Sequence, residues 1–269
     1  MAKRRSSIWS SVANIFGFLF GVVVWVIRNI YNLFARLVKG AAVEVGKPKG
    51  GASFSELKPV TVVSGSIEKF EEWLLNSKST VGLIIGARGS GKSALGLRIL
   101  ENIHAKTKRR VSAIGFREES LPGWVKVVMN VDEIRNGSFV LVDEGGIIFS
   151  SRESMSGANK LLSNLLIIAR HKDLSILFIS QNSANLEVNV IRQADYLMLR
   201  KPSLLQKDFE RKKIREVYEI AERNFRESRV DVGKATFIYS DEFQGIAENE
   251  LPSFWSEGVS KGFKKFRVR

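Results

Sequence analysis

From Ile8 to Ile27 (IWSSVANIFGFLFGVVVWVI) the chain carries no charged residue. At ~1.5 Å per residue such a helix is just long enough to cross a ~30 Å hydrocarbon layer. Trp9 and Trp25 fall near its ends, where indole rings favour the lipid boundary, and Lys3, Arg4 and Arg5 precede it while Arg28, Arg36 and Lys39 follow. Apolar spacing continues through Ile30, Tyr31, Phe34, Leu37 and Val38, as in an interfacial amphipathic helix. Residues 1–39 are therefore read as a membrane helix with an amphipathic extension. An in-plane helix is the rival reading; a signal peptide and a buried core helix fit less well. Residues 40–58 open with a Gly-, Ala-, Ser- and Lys-rich stretch expected of a linker.

The pattern then changes. Short apolar runs at 60–63, 80–86, 110–114, 125–128, 139–143, 174–180, 196–199 and 236–239 have the length and content of strands, most of them buried. Between them, Ile67 to Leu75, the residues after Lys92, Met155 to Ala169 and the charged stretch Leu204 to Phe225 carry helical spacing. Alternating strands and helices predict an α/β fold with a wholly or mostly parallel sheet flanked by helices, over residues 59–250, followed by a basic tail at 251–269.

At the end of the run 80–86 stands Gly86-Ala87-Arg88-Gly89-Ser90-Gly91-Lys92-Ser93, followed by helical spacing at Leu95, Ile99, Leu100 and Ile103. This strand, phosphate loop and helix arrangement is a P-loop: backbone amides must point at phosphate oxygens, which requires glycines where a side chain would block approach or where φ is positive. Lys92 is expected to reach the β and γ phosphates of ATP, and Ser93 to ligate Mg²⁺. The run Phe139 to Val142 delivers Asp143 and Glu144 at a strand's carboxyl end. There Asp143 can hold Mg²⁺ and Glu144 can act as general base on a water. The run Leu174 to Ser180 ends in Gln181, placed to sense the γ-phosphate or orient water.

Four blocks together resemble the FtsK/HerA superfamily of P-loop ATPases, including its viral genome-packaging branch and the zonula occludens toxin-like assembly proteins of filamentous phages. They are Gly86 to Ser93, Asp143-Glu144, the pattern from Arg170-His171 to Gln181, and Ile191-Arg192-Gln193-Ala194-Asp195 before the run Tyr196 to Leu199. The resemblance implies a RecA-like P-loop NTPase, which the membrane helix read from the apolar run would precede. It also implies an arginine, here Arg170, presented to a neighbouring subunit's nucleotide in a ring, most simply a hexamer. Arg170 equally suits a cation at a helix C-terminus, and Arg152, Arg192 and Arg200 are lesser candidates for the same role.

The formal charge of +14 suits a polyanionic partner, but it is unevenly placed. Residues 1–50 hold 8 basic residues against 1 acidic, and residues 259–269 hold 5 against 0. Phe263 and Phe266 interleave the tail's cations, a composition suited to phosphate contact, to an anionic lipid surface, or to solvation. The chain has no cysteine and two histidines, which excludes disulfides and makes a histidine zinc cluster implausible. The expected function is membrane-attached ATP hydrolysis that translocates double-stranded DNA in viral genome packaging, with the ATPase domain on the cytoplasmic side or at a virion membrane. The alternatives are extrusion of a filamentous virion or a protein, with capsid or coat proteins as partners, and a regulatory nucleotide switch.

Overall fold

The computed structural model describes residues 22, 24–34, 47–145, 155–186, 188–201, 210–228, 230–231, 233–256 and 259. The chain divides into two units, 1–47 and 48–269. Most of the run Ile8–Ile27 lies outside the described residues, and no helix among the described residues is long and apolar enough to cross a membrane. Residues 24–34 are helical, with Trp25, Ile27, Ile30, Tyr31, Leu33 and Phe34 all exposed.

In the second unit the described residues build one sheet of nine strands: β1 (Lys58–Gly65), β2 (Val81–Ile85), β3 (Val111–Ile114), β4 (Val125–Val127), β5 (Phe139–Asp143), β6 (Ser175–Ser180), β7 (Tyr196–Leu199), β8 (Ala235–Tyr239) and β9 (Phe243–Glu248). Their order is β1-β9-β8-β7-β2-β6-β5-β3-β4. From β7 to β4 every pairing is parallel, and β2, β5, β6 and β7 are buried along their whole length, which is why they read as unbroken apolar runs.

The sheet is mostly parallel, as expected, and turns antiparallel at one side. β8 and β9 form an antiparallel hairpin, and β1 pairs antiparallel with β9. The hairpin turns at Ser240, whose hydroxyl accepts from Phe243 N at 3.1 Å. No strand was expected at Phe243–Glu248, because its Gly245 and flanking acids interrupt the apolar pattern.

Helices cover both faces. One core lies between the sheet and α3 (Met155–His171), α4 (Val188–Arg192) and α5 (Lys212–Ser228); the other lies under α1 (Ile67–Asn76) and α2 (Lys92–Thr107). Helix α5 buries one stripe, Ile214, Tyr218 and Ala221, and leaves its charges outside, as its spacing predicts.

Close approach is arranged locally. A Cβ on Gly82 would stand 2.1 Å from the Tyr196 ring, so a glycine in β2 makes room for the largest side chain of β7. Asp195 registers the same two strands: its carboxylate accepts from Val81 N at 2.7 Å and its own N–H donates to Val81 O at 2.8 Å.

The segments flanking the expected domain are tied to α2. Ser53 and Ser253 both donate to the fully buried Glu101, which also pairs with Arg98, and Ser55 exchanges two hydrogen bonds with Asn102. Phe254 packs edge-on against Trp124. Burial would raise the Glu101 carboxyl, but hydrogen bonds from Ser253 and Ser53, with Arg98 beside it, bring it below the usual glutamate range.

Candidate nucleotide site

The carboxyl ends of the parallel strands gather the candidate residues. After β2 the chain turns through Gly86 to Gly91 and enters α2, whose N-cap, Gly91, has φ +86° and no side-chain cap. That left-handed conformation suits glycine, and the uncapped first-turn amides of α2 remain available to an anion at the positive end of the helix dipole. Gly86, Ala87, Arg88, Gly89, Ser90 and Gly91 form the loop; Arg88 and Gly89 are exposed, while Lys92 is buried at 8% exposure. Lys92 Nζ donates to the carbonyls of Gly86 and Ala87, both at 2.8 Å. Burial pushes the Lys92 ammonium down to about 8, against the pull of Asp143 and with a further push from Arg200.

Ser93 and Asp143 meet across the edge, the serine hydroxyl donating to Asp143 Oδ2 at 2.9 Å. This is the contact expected of two groups that share a cation. The donor set, a hydroxyl and a carboxylate, is all oxygen and suits Mg²⁺. Glu144, 5% exposed, sits beside them and accepts from the Ser180 hydroxyl. Burial raises the Glu144 carboxyl above the usual glutamate range, outweighing the Ser180 bond, and Asp143 raises it further. Gln181 follows Ser180 at the end of β6 and is exposed, on the same edge. Lys92, Ser93, Asp143, Glu144 and Gln181 are thus brought to one edge of the sheet.

Arg170 is not among them. It lies at the end of α3, exposed, in the turn leading into the amino end of β6. There it lines a cavity of about 280 Å³ with Ser163, Leu166, Ile167, Asn189 and Gln193. Six residues of β6 separate that turn from the edge holding the phosphate loop, a span of roughly 20 Å, beyond the reach of an arginine side chain. Arg192 is also exposed, on α4, and Arg152 lies outside the described residues.

Arg200 does not fit the role of an arginine presented to a neighbour. It is 4% exposed and turned inward beneath the phosphate loop. Its Nε donates to Ser90 O at 2.7 Å, and Nη1 donates to Lys234 O and Thr236 Oγ1, both at 2.9 Å. Its Nη2 donates to Gly233 O. Burial pushes the guanidinium down to about 10, opposed by Asp231.

Sequence reasoning passed over Ser180, the structural role of Asp195 and the actual placement of Arg200. A signal existed for the last: a lone arginine at the end of a buried strand (YLMLR) must find acceptors inside the protein. Ser180 could have been found from its place at the carboxyl end of a strand next to the one bearing Asp143.

No protein-family model matches the chain, and no curated protein matches it. Similar solved structures include the genome-packaging NTPase B204 from Sulfolobus turreted icosahedral virus 2 in complex with sulfate. It is 16% identical over 65% of this chain and 98% of that one, with TM-score 0.45. The pCW3 conjugation coupling protein TcpA, in its monomer form with ATPgS, is 12% identical over 71% of this chain and 66% of that one, with TM-score 0.44. The N-terminal domain of zonular occludens toxin from Neisseria meningitidis is 18% identical over 45% of this chain and 76% of that one, with TM-score 0.33.

Proposed function

We propose that this chain is a membrane-attached ATPase that hydrolyses ATP to translocate double-stranded DNA, packaging a viral genome, and that it works as a homo-oligomeric ring, most simply a hexamer. The observation that carries the nucleotide part of this reading is the carboxyl-edge cluster. Lys92 is held on the carbonyls of its own loop, Ser93 is bonded to Asp143, and Glu144 lies beside them in a buried setting that raises its proton affinity.

Gly86 to Ser93 would cradle the phosphate chain of ATP with backbone amides, and Lys92 would leave the loop carbonyls to contact the β and γ phosphates. Ser93 and Asp143 would hold Mg²⁺, which supplies charge neutralisation to the phosphate oxygens. Glu144 would take a proton from the attacking water, for which its burial is suited: a base with raised affinity drives proton transfer better than an ordinary surface glutamate. Gln181 would orient that water or sense the γ-phosphate. Because Arg170 stands at the opposite edge, its charge cannot reach its own subunit's nucleotide, and any part it takes in the reaction is at a neighbour's, which is the reason for proposing a ring.

Attachment to a membrane is supported by the uncharged run Ile8–Ile27 and the exposed apolar side chains of residues 24–34, with the ATPase domain on the cytoplasmic side where ATP is found, or at a virion membrane. The test compares ATP turnover with and without double-stranded DNA for wild type, Lys92→Ala, Glu144→Gln and Arg170→Ala. Stimulation by DNA in an assembled ring supports the motor. Stimulation by coat or capsid proteins alone points to virion assembly and extrusion, and slow turnover with no ring points to a regulatory switch. Mixing Arg170→Ala with Lys92→Ala subunits restores activity only if the arginine acts in trans.

A further inference from the structure

Beneath the phosphate loop lies a buried cation that the proposed reaction does not use. The Arg200 side chain rises from the end of β7 and places four of its hydrogen bonds on Ser90 O, Gly233 O, Lys234 O and Thr236 Oγ1, all neutral acceptors. Its backbone belongs to the same junction: Arg200 N donates to Ile85 O at 2.9 Å, and Ala87 N donates to the neighbouring Lys201 O at 3.0 Å. The loop is thus fastened from below at Ile85, Ala87 and Ser90.

The bond to Ser90 O has a directional consequence. A trans peptide is planar, so the carbonyl of one residue and the N–H of the next point to opposite sides. Drawing the Ser90 carbonyl down onto Arg200 turns the Gly91 N–H upward, toward the side on which a phosphate would lie. A Cβ on Gly91 would stand 2.8 Å from Arg200 Nη2, the atom that donates to Gly233 O, and at Gly86 a Cβ would stand 2.7 Å from Arg200 Cβ. The two glycines that open and close the loop thus lie directly against residue 200. The Ser90 hydroxyl is buried without a partner in the same place.

Charge points the same way. Lys92 and Arg200 are both buried and place their hydrogen bonds on carbonyls or a hydroxyl, while Asp143 and Asp231 act on them only through their charge. Two cations so placed favour a polyanion entering from the open side.

We propose that Arg200 is a positioning residue for phosphate binding: it orients the Ser90–Gly91 peptide so that its N–H faces the phosphates, and it ties the loop to the start of β8. The inference rests on the nucleotide-site reading above. It makes Arg200 act within its own subunit, in contrast to the role proposed for Arg170.

The experiment is calorimetric titration of full-length protein with Mg-ADP and, separately, with pyrophosphate, alongside thermal melting. Wild type, Lys92→Ala, Arg200→Met and Arg200→Lys are compared. The proposal expects Arg200→Met to weaken both ligands by about tenfold or more, because the loop amide loses its orientation along with a charge. Arg200→Lys is expected to recover only part of the loss, since an ammonium cannot span all four acceptors. Binding within about twofold of wild type in both variants overturns the proposal, whatever their melting temperatures, and assigns Arg200 to the fold alone. Should Arg200→Met fail to fold, Arg200→Lys decides on the same threshold. Failure of wild type itself to bind either ligand removes the nucleotide-site reading and the proposal with it, whereas binding lost in Lys92→Ala but kept in both Arg200 variants removes the proposal alone.

Discussion

The two edges of the parallel sheet each hold a recessed arginine that gathers backbone carbonyls, and they use it to opposite ends. At the amino edge Arg109 donates to the carbonyls of Ser77, Lys78, Gly137, Ser138 and Asp173 and to the Ser175 hydroxyl, joining the turns that enter β2, β5 and β6. Those acceptors close the edge, and no candidate phosphate-binding residue stands among them. At the carboxyl edge Arg200 does the same beneath the phosphate loop. One arginine ends as cement; the other underlies the loop that brings Lys92 and Ser93 up to Asp143.

The contrast is sharpest for Lys92→Ala. Removing the ammonium should lower ATP turnover by about 10²- to 10³-fold, measured as phosphate release, with little change in melting temperature. A variant that melts much earlier yet retains turnover would place Lys92 in the fold rather than the chemistry. Arg109→Ala should do the reverse. With five carbonyls deprived of a charged donor, some of them able to turn to water, unfolding in denaturant should show a loss of about 2–4 kcal/mol, while Mg-ADP affinity in the folded protein is unchanged. A loss below about 1 kcal/mol would mean that the amino edge does not depend on this residue.

Acidity tests the carboxyl edge alone. The lowered ammonium of Lys92, at about 8, means that the folded protein releases this proton before the unfolded chain does. Its stability contribution therefore rises from about pH 8 towards the ordinary lysine value near 10.4, where the unfolded chain also deprotonates. Nucleotide binding runs the other way: above about pH 8 it must recover the proton, so affinity should weaken by up to about tenfold per pH unit, with proton uptake visible as a buffer-dependent heat. Affinity independent of pH from 7 to about 9.5 would contradict a phosphate contact by Lys92. The smallest effect is expected from Arg170→Ala, which should change the stability of the isolated subunit by less than about 0.5 kcal/mol because the side chain is exposed. A larger loss would tie Arg170 to its own α3–α4 region instead of to a neighbour.

Most of this comparison was readable beforehand at one edge and hidden at the other. The phosphate loop and Asp143-Glu144 declare themselves because short apolar strands deliver them at known ends, and glycine spacing has a backbone meaning. Arg109 lacks such a pattern, and Arg200 shows only that it ends a buried run. Each acts by fanning donors onto carbonyls from distant turns, and carbonyls are common to every residue, so nothing in the sequence marks the partners. Asp195 fell within a recognised block, yet its bond to Val81 depends on strand adjacency that only the fold supplies. The strand Phe243–Glu248 was missed for a related reason: Gly245 tolerates the backbone of β1, with its Cβ position 2.1 Å from Thr61 O, and so breaks the apolar alternation by which strands are read.

The claim on which the rest depends is that the carboxyl edge hydrolyses ATP with Glu144 as the base. Its most direct test measures ATP turnover and binding of a non-hydrolysable ATP analogue side by side in wild type and Glu144→Gln. The account predicts that the substitution lowers turnover by about 10²-fold or more while analogue binding persists, and that the wild-type rate falls with acid at a pH above the ordinary glutamate range of about 4.3, because the base must lose its proton. Turnover in Glu144→Gln equal to that of wild type would contradict it.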